Sequence, residues 1–539
     1  MQKSLLLGVE AIAQGAIDGG MSGVYAYPGT PSTEITEYVQ HSKQAKELNI
    51  HSDWAANEKT AMESALGMSY AGKRAMVCMK HVGLNVAADC FMNAAITGAN
   101  GGMLIVVADD PSMHSSQNEQ DSRVYGKFAM MPILEPSNQQ EAYDMARFGF
   151  ELSEACEIPV LMRITTRLAH SRAGVTRAAE VIAQNEMKLP EDKVQFVLLP
   201  GIARKRYKML LNNQEKFELA SEESAYNTYT DAADKSMGII ACGLGYNYLM
   251  ENYPNGDCPF PVVKISQYPI PRKMIQKITS ECDKVMVLEE GYPVIEEMLK
   301  GYLEKEAVIG RLDGTLSRDG ELKPEMVGKA LGFDVEEGAE VPSMVAARPP
   351  ALCTGCSHID VYVALNEVVA EYGEGRVFAD IGCYTLGALP PFNAINSCVD
   401  MGASITMAKG AADAGIHPSV AIIGDSTFTH SGMTGLLEAV IEDTPMTVVI
   451  SDNSAIAMTG AQDSSASGRL IDICKGIGVD EEHMIVITPL HKNMEENKDI
   501  IRKEFNHPGV SVIIAQRPCV QLPSEKKKLL KQIKSVAVN

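Results

Sequence analysis

Short apolar runs of strand length recur along the chain. Longer stretches between them bring apolar residues back every three or four positions. In the first 185 residues the runs are "GVYAYPGTPST", "RAMVCMK", "GMLIVVADD" and "VLMRITT", each passing into a polar loop. Between them "NEKTAMESALGMSYAG" predicts a helix, with Asn57 as N-cap and Gly72 as its stop. Strand-length apolar runs alternating with helices are the rhythm of a parallel doubly wound sheet. The opening stretch "MQKSLLLGVEAIAQGAIDGG" is broken by Glu10 and closed by a glycine pair. It predicts an ordinary amphipathic helix rather than a signal peptide.

Residues 186–235 lose this rhythm; they are polar, charged and weakly periodic, and predict a connector with some helix. The alternation returns over 236–332, in "SMGIIACGLGYNYL", "PVVKISQYPIP" and "DKVMVLEEG". An acidic, proline-containing stretch predicts a linker over 333–347. A third alternating unit covers 348–522, with strands expected at "RVFADIG", "SVAIIGD", "MTVVISDN" and "GVSVIIAQ". The end, 523–539, reads as a basic amphipathic tail, a solvated surface helix. The expectation is an α/β protein of three doubly wound units.

Composition narrows the picture. An apolar content of 45% with 22% charged residues is that of a globular protein. The net charge of −21 argues against nucleic acid or an anionic membrane surface as partner. No apolar run approaches the ~20 residues of a spanning helix. Twelve cysteines with no targeting signal point to a reducing, cytoplasmic compartment. Cys78, Cys90, Cys156, Cys242, Cys258, Cys282, Cys398 and Cys474 are isolated in sequence and read as buried free thiols. Cys353 and Cys356 form a CxxC pair in a Gly/Pro-flanked loop before an apolar helix. Such a pair is half of a zinc site, half of an iron–sulfur site, or a redox dithiol.

The stretch with most chemistry is "AIIGDSTFTHSGMTGLLEAVIEDTPMTVVISDNSAIAMTG". A strand over 419–424 ends in Gly424, Asp425 and Ser426, a helix follows over roughly 432–442, and the next strand ends in Asp452 and Asn453. Parallel strands of one βαβ unit are neighbours ~4.8 Å apart, so Asp425 and Asn453 are expected at one carboxyl edge. That edge is where open α/β sheets bind ligands. The Asp425 carboxylate, the Asn453 amide oxygen and the Ala455 carbonyl are hard oxygen donors. Two diphosphate oxygens and a water would complete an octahedron suited to Mg²⁺. Gly424 would let the backbone approach the phosphates, beside a helix N-terminus. Asn lies 28 residues after Asp, with strand–helix–strand between them. The arrangement resembles the diphosphate–Mg²⁺ motif of thiamin-diphosphate enzymes, with Ser426 where many carry a second glycine. Such a cofactor also needs a carboxylate bonded to its aminopyrimidine ring. Glu58, opening a helix after a strand, is the candidate; spacing alone favours reading it as a first-turn glutamate suited to the helix dipole, or as a surface charge.

Eight segments then acquire a common meaning. "YPGTPSTEI", "NEKTAMESALG", "MKHVGLNVAADCFMN", "SSQNEQDSRVYGKFAMMPILEPS", "LCTGCSH", "DIGCYTLGALPP", "GDSTFTHSGMTGL" and "DNSAIAMTG" occur in this order. Together they resemble the alpha subunit of indolepyruvate:ferredoxin oxidoreductase, a branch of the thiamin-dependent 2-oxoacid:ferredoxin oxidoreductases. The resemblance runs to about residue 522. It implies a pyrimidine-binding domain over 1–185, a transketolase-C-like domain over 236–332 and a diphosphate-binding domain over 348–522. It makes Glu58 the cofactor-activating residue and Thr30 a substrate contact. Lys80, His81 and Asn85 would meet the 2-oxoacid, Lys80 or His81 taking its carboxylate. Gln117, Asp121 and Arg123 fall in a polar loop expected to border the site.

The implied reaction is oxidative decarboxylation of an aryl 2-oxoacid: CO₂ leaves, two electrons depart singly, and coenzyme A collects the acyl group. Single-electron steps need a nearby acceptor. The superfamily places a [4Fe–4S] cluster on a CxxC, a third cysteine before the diphosphate motif and a fourth near the domain's end. Those positions here are Cys353, Cys356, Cys383 and Cys519; zinc or unligated thiols are the other readings of the four. The implied partners are a smaller beta subunit and ferredoxin or a similar one-electron acceptor, in a homo-oligomer of the heterodimer. Related subunits often continue into a ferredoxin-like tail of repeated cysteines, and this sequence shows a lysine-rich stretch there instead. The competing expectations are a non-oxidative thiamin decarboxylase or carboligase, which needs no cluster, and a redox-inactive thiamin-binding subunit.

Overall fold

The computed structural model describes residues 3–192, 195–196, 198, 200–301, 307–317, 320–335, 338, 341–346, 350–398, 401–413 and 416–524. Beyond residue 524 the basic tail lies outside the described residues, as do parts of the 333–347 linker. The chain divides into two compact units, Met1–Ala339 and Glu340–Asn539.

The first unit carries two larger sheets. In the seven-stranded one the order is Gln267–Tyr268, Ile133–Leu134, Val160–Thr165, Met103–Asp109, Ala75–Lys80, Gly23–Ala26, His51–Trp54. All neighbours are parallel except Gln267–Tyr268, which runs antiparallel to Ile133–Leu134. The inner strands are buried on both faces, which is why they read as unbroken apolar runs. The five-stranded sheet has the order Val308–Ile309, Val285–Leu288, Gly238–Cys242, Val262–Ile265, Thr228–Thr230. The run "PVVKISQYPIP" is therefore two strands: Val262–Ile265 stays in the smaller sheet while Gln267–Tyr268 crosses to the larger. Asn227 fixes that crossing: its Oδ1 accepts the N–H groups of Ser266 (2.8 Å) and Gln267 (3.0 Å).

One further expectation is corrected and one is made specific. The opening stretch is a strand, Lys3–Leu7, and then a helix, Gly8–Asp18, in which every residue but Glu10 is buried. It is a core helix rather than an amphipathic one, because Lys3–Leu7 pairs with Arg172–Thr176 and draws the chain into the fold. The stretch after residue 186 contains a 23-residue helix, Pro200–Glu222, with Leu210, Phe217 and Ser221 buried.

Asp121 and Arg123 are not rim residues of a polar loop. Asp121 caps the helix Ser122–Ala129 and Arg123 lies in its first turn, both buried. Arg123 bonds Asp121 Oδ2 (2.6 Å), Glu289 Oε2 (3.0 Å) and the Tyr292 carbonyl (2.9 Å). Arg163 bonds Asp109 Oδ2 (2.6 Å), the Glu290 carbonyl (2.9 Å) and Glu135. The Glu290 carboxyl, which burial pushes up to about 8, lies apart from these bonds and accepts from Leu322 N (3.1 Å). The network ties the two sheets of the unit together.

The second unit is a six-stranded, all-parallel sheet with the order Ser397–Cys398, Val377–Ala379, Ser419–Gly424, Met446–Asp452, Val510–Gln516, Met484–Ile487. Val361, Tyr362, Leu365 and Ile513 pack on one face. Ile405, Phe428, Leu436 and Ile514 pack on the other.

Candidate functional site

At the carboxyl edge of the second unit's sheet, Gly424 stands opposite Ser451, and Asp452 opposite Gln516. The turns that leave these strands therefore carry Asp425, Asn453 and Arg517 side by side. The helix begins at Asp425 itself, passes through a wide turn at Phe428–Gly432, and continues as Met433–Ile441. Gly424 has a second reason to lack a side chain. A Cβ there would lie 2.7 Å from Cε1 of Tyr384, whose buried hydroxyl donates to Asp380.

Asp425 is sealed from water, and its Oδ2 has no hydrogen-bond partner among the described residues. Burial, then the neighbouring Asp452, push its carboxyl up to about 8, with a Ser464 hydrogen bond pulling the other way. Asp452 differs although it is one strand away. Its Oδ1 accepts from Ser454 N (3.0 Å) and its Oδ2 from Gln516 Nε2 (2.6 Å). Asn453 Oδ1 accepts from Ala455 N at 3.0 Å, which folds the turn and leaves the oxygen a second lone pair. A buried carboxylate oxygen without a partner, beside a second carboxylate, fits a divalent cation: the ion would supply the missing charge. Asp452 and Ser464 were not foreseen, because neither lies at a diagnostic spacing from Asp425.

The four cysteines lie around this edge. A turn closes with Cys356 N–H donating to the Cys353 carbonyl (2.9 Å). The Cys519 N–H donates to the Asn453 carbonyl, also at 2.9 Å, so this cysteine is hung directly on the Asp452–Asn453 turn. Gln521 reaches two sulfurs at 3.4 Å, Cys353 with its side chain and Cys519 with its backbone N–H. Burial, then Cys356, Cys519 and Cys353, and finally Asp425, push the Cys383 thiol up to about 12. Four thiols in one another's field fit a cationic iron core, which would relieve that repulsion. Their sulfurs are not drawn to ligand distance, and among the described residues no group of three or more His, Cys, Asp or Glu is arranged to hold a metal ion. Of the eight isolated cysteines, five are buried, while Cys258, Cys282 and Cys398 are half-buried.

In the first unit a second carboxyl edge collects the other candidates. Asn57 caps the helix Glu58–Tyr70, its side chain accepting from Thr60 N (2.9 Å). This presents the buried Glu58 at the edge, against Gly83; a Cβ on Gly83 would come within 2.6 Å of Glu58 Oε1. Lys80 ends its strand and donates from Nζ to the Ser115 carbonyl (2.6 Å), with Asp110 4.0 Å away. Burial lowers the Lys80 ammonium to about 8, opposed by Asp110. His81 Nε2 faces the Asn118 carbonyl (3.1 Å), and its buried Nδ1 has no hydrogen-bond partner among the described residues. Burial, then Lys80, hold the His81 imidazole below its usual range. The Thr30 carbonyl accepts from the Ser115 hydroxyl at 3.3 Å, so Thr30 and Lys80 share one partner. Gln117 lies in the same loop as Ser115 and Asn118. Asn85 stands apart, exposed one helical turn on, with its Oδ1 accepting from the Tyr125 hydroxyl (2.6 Å). Ser115 and Asp110 organise this edge, yet a serine in a polar loop carries no signal in sequence.

Residues 14–233 match the family model for pyruvate flavodoxin/ferredoxin oxidoreductase, thiamine diphosphate-binding. Residues 380–515 match that for the thiamine pyrophosphate enzyme C-terminal TPP-binding domain. The chain is 39% identical to the indolepyruvate oxidoreductase subunit IorA of Archaeoglobus fulgidus, over 98% of this chain and 88% of that one. To the IorA of Methanothermobacter marburgensis it is 38% identical over 96% and 86%, and to that of Pyrococcus abyssi 36% over the same shares. Among solved structures it is similar to the 2-oxoglutarate:ferredoxin oxidoreductase of Magnetococcus marinus, with a TM-score of 0.49 and 17% identity, covering 61% of this chain and 64% of that one. Among the described residues no helix is long and apolar enough to cross a membrane.

Proposed function

The chain belongs to the indolepyruvate oxidoreductase subunit IorA family, and from that premise we propose that it catalyses thiamin-dependent oxidative decarboxylation of an aryl 2-oxoacid, yielding an acyl-coenzyme A, CO₂ and two singly transferred electrons. The coarser statement, a thiamin-diphosphate-dependent 2-oxoacid:ferredoxin oxidoreductase, rests on the family and its two thiamin-binding models. One observation favours the oxidative reading over the non-oxidative one: Cys353, Cys356, Cys519 and the buried Asp425 all act electrostatically on Cys383. Prospective ligands of a one-electron carrier thus share a sheet edge with a carboxylate suited to the cofactor's metal.

Bound thiamin diphosphate would supply the carbon nucleophile and electron sink that decarboxylation needs. Asp425, Asn453 and the Ala455 carbonyl would hold Mg²⁺ on its diphosphate, with Gly424 and Ser426 lining the turn. Glu58 would hold a proton at the aminopyrimidine nitrogen; its position over Gly83 keeps the carboxylate out of water. Lys80 would bind the 2-oxoacid carboxylate by exchanging it for the Ser115 carbonyl, with His81 and Thr30 orienting the keto group. Cys353, Cys356, Cys383 and Cys519 would ligate a [4Fe–4S] cluster that passes electrons to ferredoxin or a similar acceptor, in a complex with a smaller subunit.

The test is an anaerobic assay of the protein with its partner subunit against a panel of 2-oxoacids, coenzyme A and a one-electron dye. Dye reduction that depends on coenzyme A and is fastest with an aryl 2-oxoacid is expected, from brown protein with about four irons per chain. Aldehyde release without dye reduction would instead identify a non-oxidative decarboxylase. Iron-free protein from the same preparation would remove the cluster.

A further inference from the structure

His358 follows the CxxC pair and occupies the second position of the helix Ser357–Val369, which Cys356 caps. Its ring is buried. The Nδ1 atom lies 3.3 Å from Cys356 Sγ. The ring meets Tyr384 edge to face, with centroids 6.2 Å apart. Its Nε2 is buried without a hydrogen-bond partner among the described residues. Tyr384 is itself pinned between Gly382 and Gly424, where a Cβ would lie 2.4 and 2.7 Å from its ring. The imidazole therefore has little room to turn away from the sulfur.

A neutral imidazole carries one N–H. On Nε2 that proton would be a buried donor without an acceptor, while the Nδ1 lone pair faced a sulfur that, as a ligand thiolate, has no proton to give. On Nδ1 it donates directly to the thiolate. The geometry thus selects the Nδ1–H tautomer once the cysteine is ligated. We propose that His358 is a positioning residue for electron transfer, donating Nδ1–H to Cys356 Sγ and thereby setting the reduction potential of the cluster. The proposal rests on the reading of the four cysteines as cluster ligands. Reduction adds negative charge that spreads onto the ligand sulfurs, and a donor aimed at one of them stabilises the reduced state and raises the potential. No other histidine stands at hydrogen-bond distance from a cysteine sulfur among the described residues.

The test is a spectroscopically monitored redox titration of the anaerobically purified complex in wild type, His358→Leu, His358→Asn and His358→Gln. An Asn side chain places an N–H near the Nδ1 position, whereas Gln places it near Nε2. The midpoint potential is expected to move to more negative values in His358→Leu and His358→Gln, and to return toward wild type in His358→Asn. A His358→Leu cluster with unchanged potential would overturn the proposal. If the Leu variant fails to keep its cluster, equal potentials in the Asn and Gln variants would overturn it instead. Wild-type complex without iron would refute the cluster itself, an outcome that iron analysis separates from either result.

Discussion

Arg163 in the first unit and Asp425 in the second are both sealed from water, yet only the arginine is met by partners on every nitrogen. Arg163 is enclosed by Asp109, Glu135 and the Glu290 carbonyl, and Arg123 beside it by Asp121, Glu289 and the Tyr292 carbonyl. Asp425 has an empty oxygen and a second carboxylate for a neighbour. Burying an ion costs several kcal/mol unless pairing and hydrogen bonds offset it. The arginine network meets that cost within the protein and holds two sheets together. At Asp425 the cost stands open, as it does where a protein has kept a place for a ligand's charge. Arginines met on every nitrogen mark architecture here, and an unpartnered carboxyl oxygen beside a second carboxylate marks a place for chemistry.

The largest effect should come from breaking the satisfied side. Arg163→Met leaves Asp109 and Glu135 buried without their cation and is expected to destabilise the protein by ~3–5 kcal/mol, measured by denaturant unfolding. A loss below ~1 kcal/mol would mean that apolar packing alone joins the two sheets. Asp425→Asn should act with the opposite sign. Without cofactor it is expected to stabilise by ~1–3 kcal/mol at neutral pH, because folding no longer has to place a proton on a carboxyl that is ionised in the unfolded chain. The pH dependence follows from the raised pKa. The folded Asp425 holds its proton up to about 8, against 3.8 for an ordinary aspartate. Its contribution to stability is thus complete below about pH 4 and is lost as pH rises toward 8. The Asn variant should lack that slope, and it should also lose Mg²⁺-dependent binding of thiamin diphosphate, read by calorimetry. If Asp425→Asn instead destabilised as much as Arg163→Met, the carboxylate would belong to the architecture.

The same contrast explains what the sequence could reveal. The βαβ unit around Asp425 was legible because strand, helix and strand are local, and the right-handed crossover forces their ends together. Asn57 and Gly72 bounded a helix by capping chemistry that acts within a few residues. What escaped is long-range. Asp121 and Arg123 look like any polar loop until Glu289 and Tyr292 arrive from more than 160 residues away. Gln267–Tyr268 reads as the continuation of a strand, since only Asn227 and the partner strand Ile133–Leu134 reveal the crossing. Gly424 was read for its approach to phosphates, and the Tyr384 ring against it had no signature. Ser464, Ser115 and Asp452 escaped because hydrogen-bonding residues of common type announce nothing by spacing.

Lys80 stands between the two cases and gives the finest test of the distinction. It is buried like the arginines, but its carboxylate neighbour Asp110 lies 4.0 Å off and is already bonded by Ser115 and Ser116. Its nearest acceptor is a loop carbonyl, which a substrate carboxylate could replace. If Lys80 is architectural, Lys80→Met will cost several kcal/mol, as Arg163→Met does. If it serves the substrate, stability will change by less than ~1 kcal/mol, while KM for the 2-oxoacid rises ~10- to 100-fold with a smaller change in kcat. That range is the equivalent of one charge-assisted hydrogen bond of ~1.5–3 kcal/mol. Its pKa of about 8 adds a second readout. As the ammonium deprotonates, KM should climb through that pH in the wild type and stay flat in the Met variant. Folding stability should rise over the same interval even as substrate binding weakens. Below about pH 8 the folded protein bears the cost of a buried ammonium, and between about 8 and 10.5 the unfolded chain binds more protons, so this group's contribution to stability increases with pH. Substrate affinity that falls while stability rises over one pH interval would place Lys80 with Asp425, among the charges whose partner comes from outside the chain.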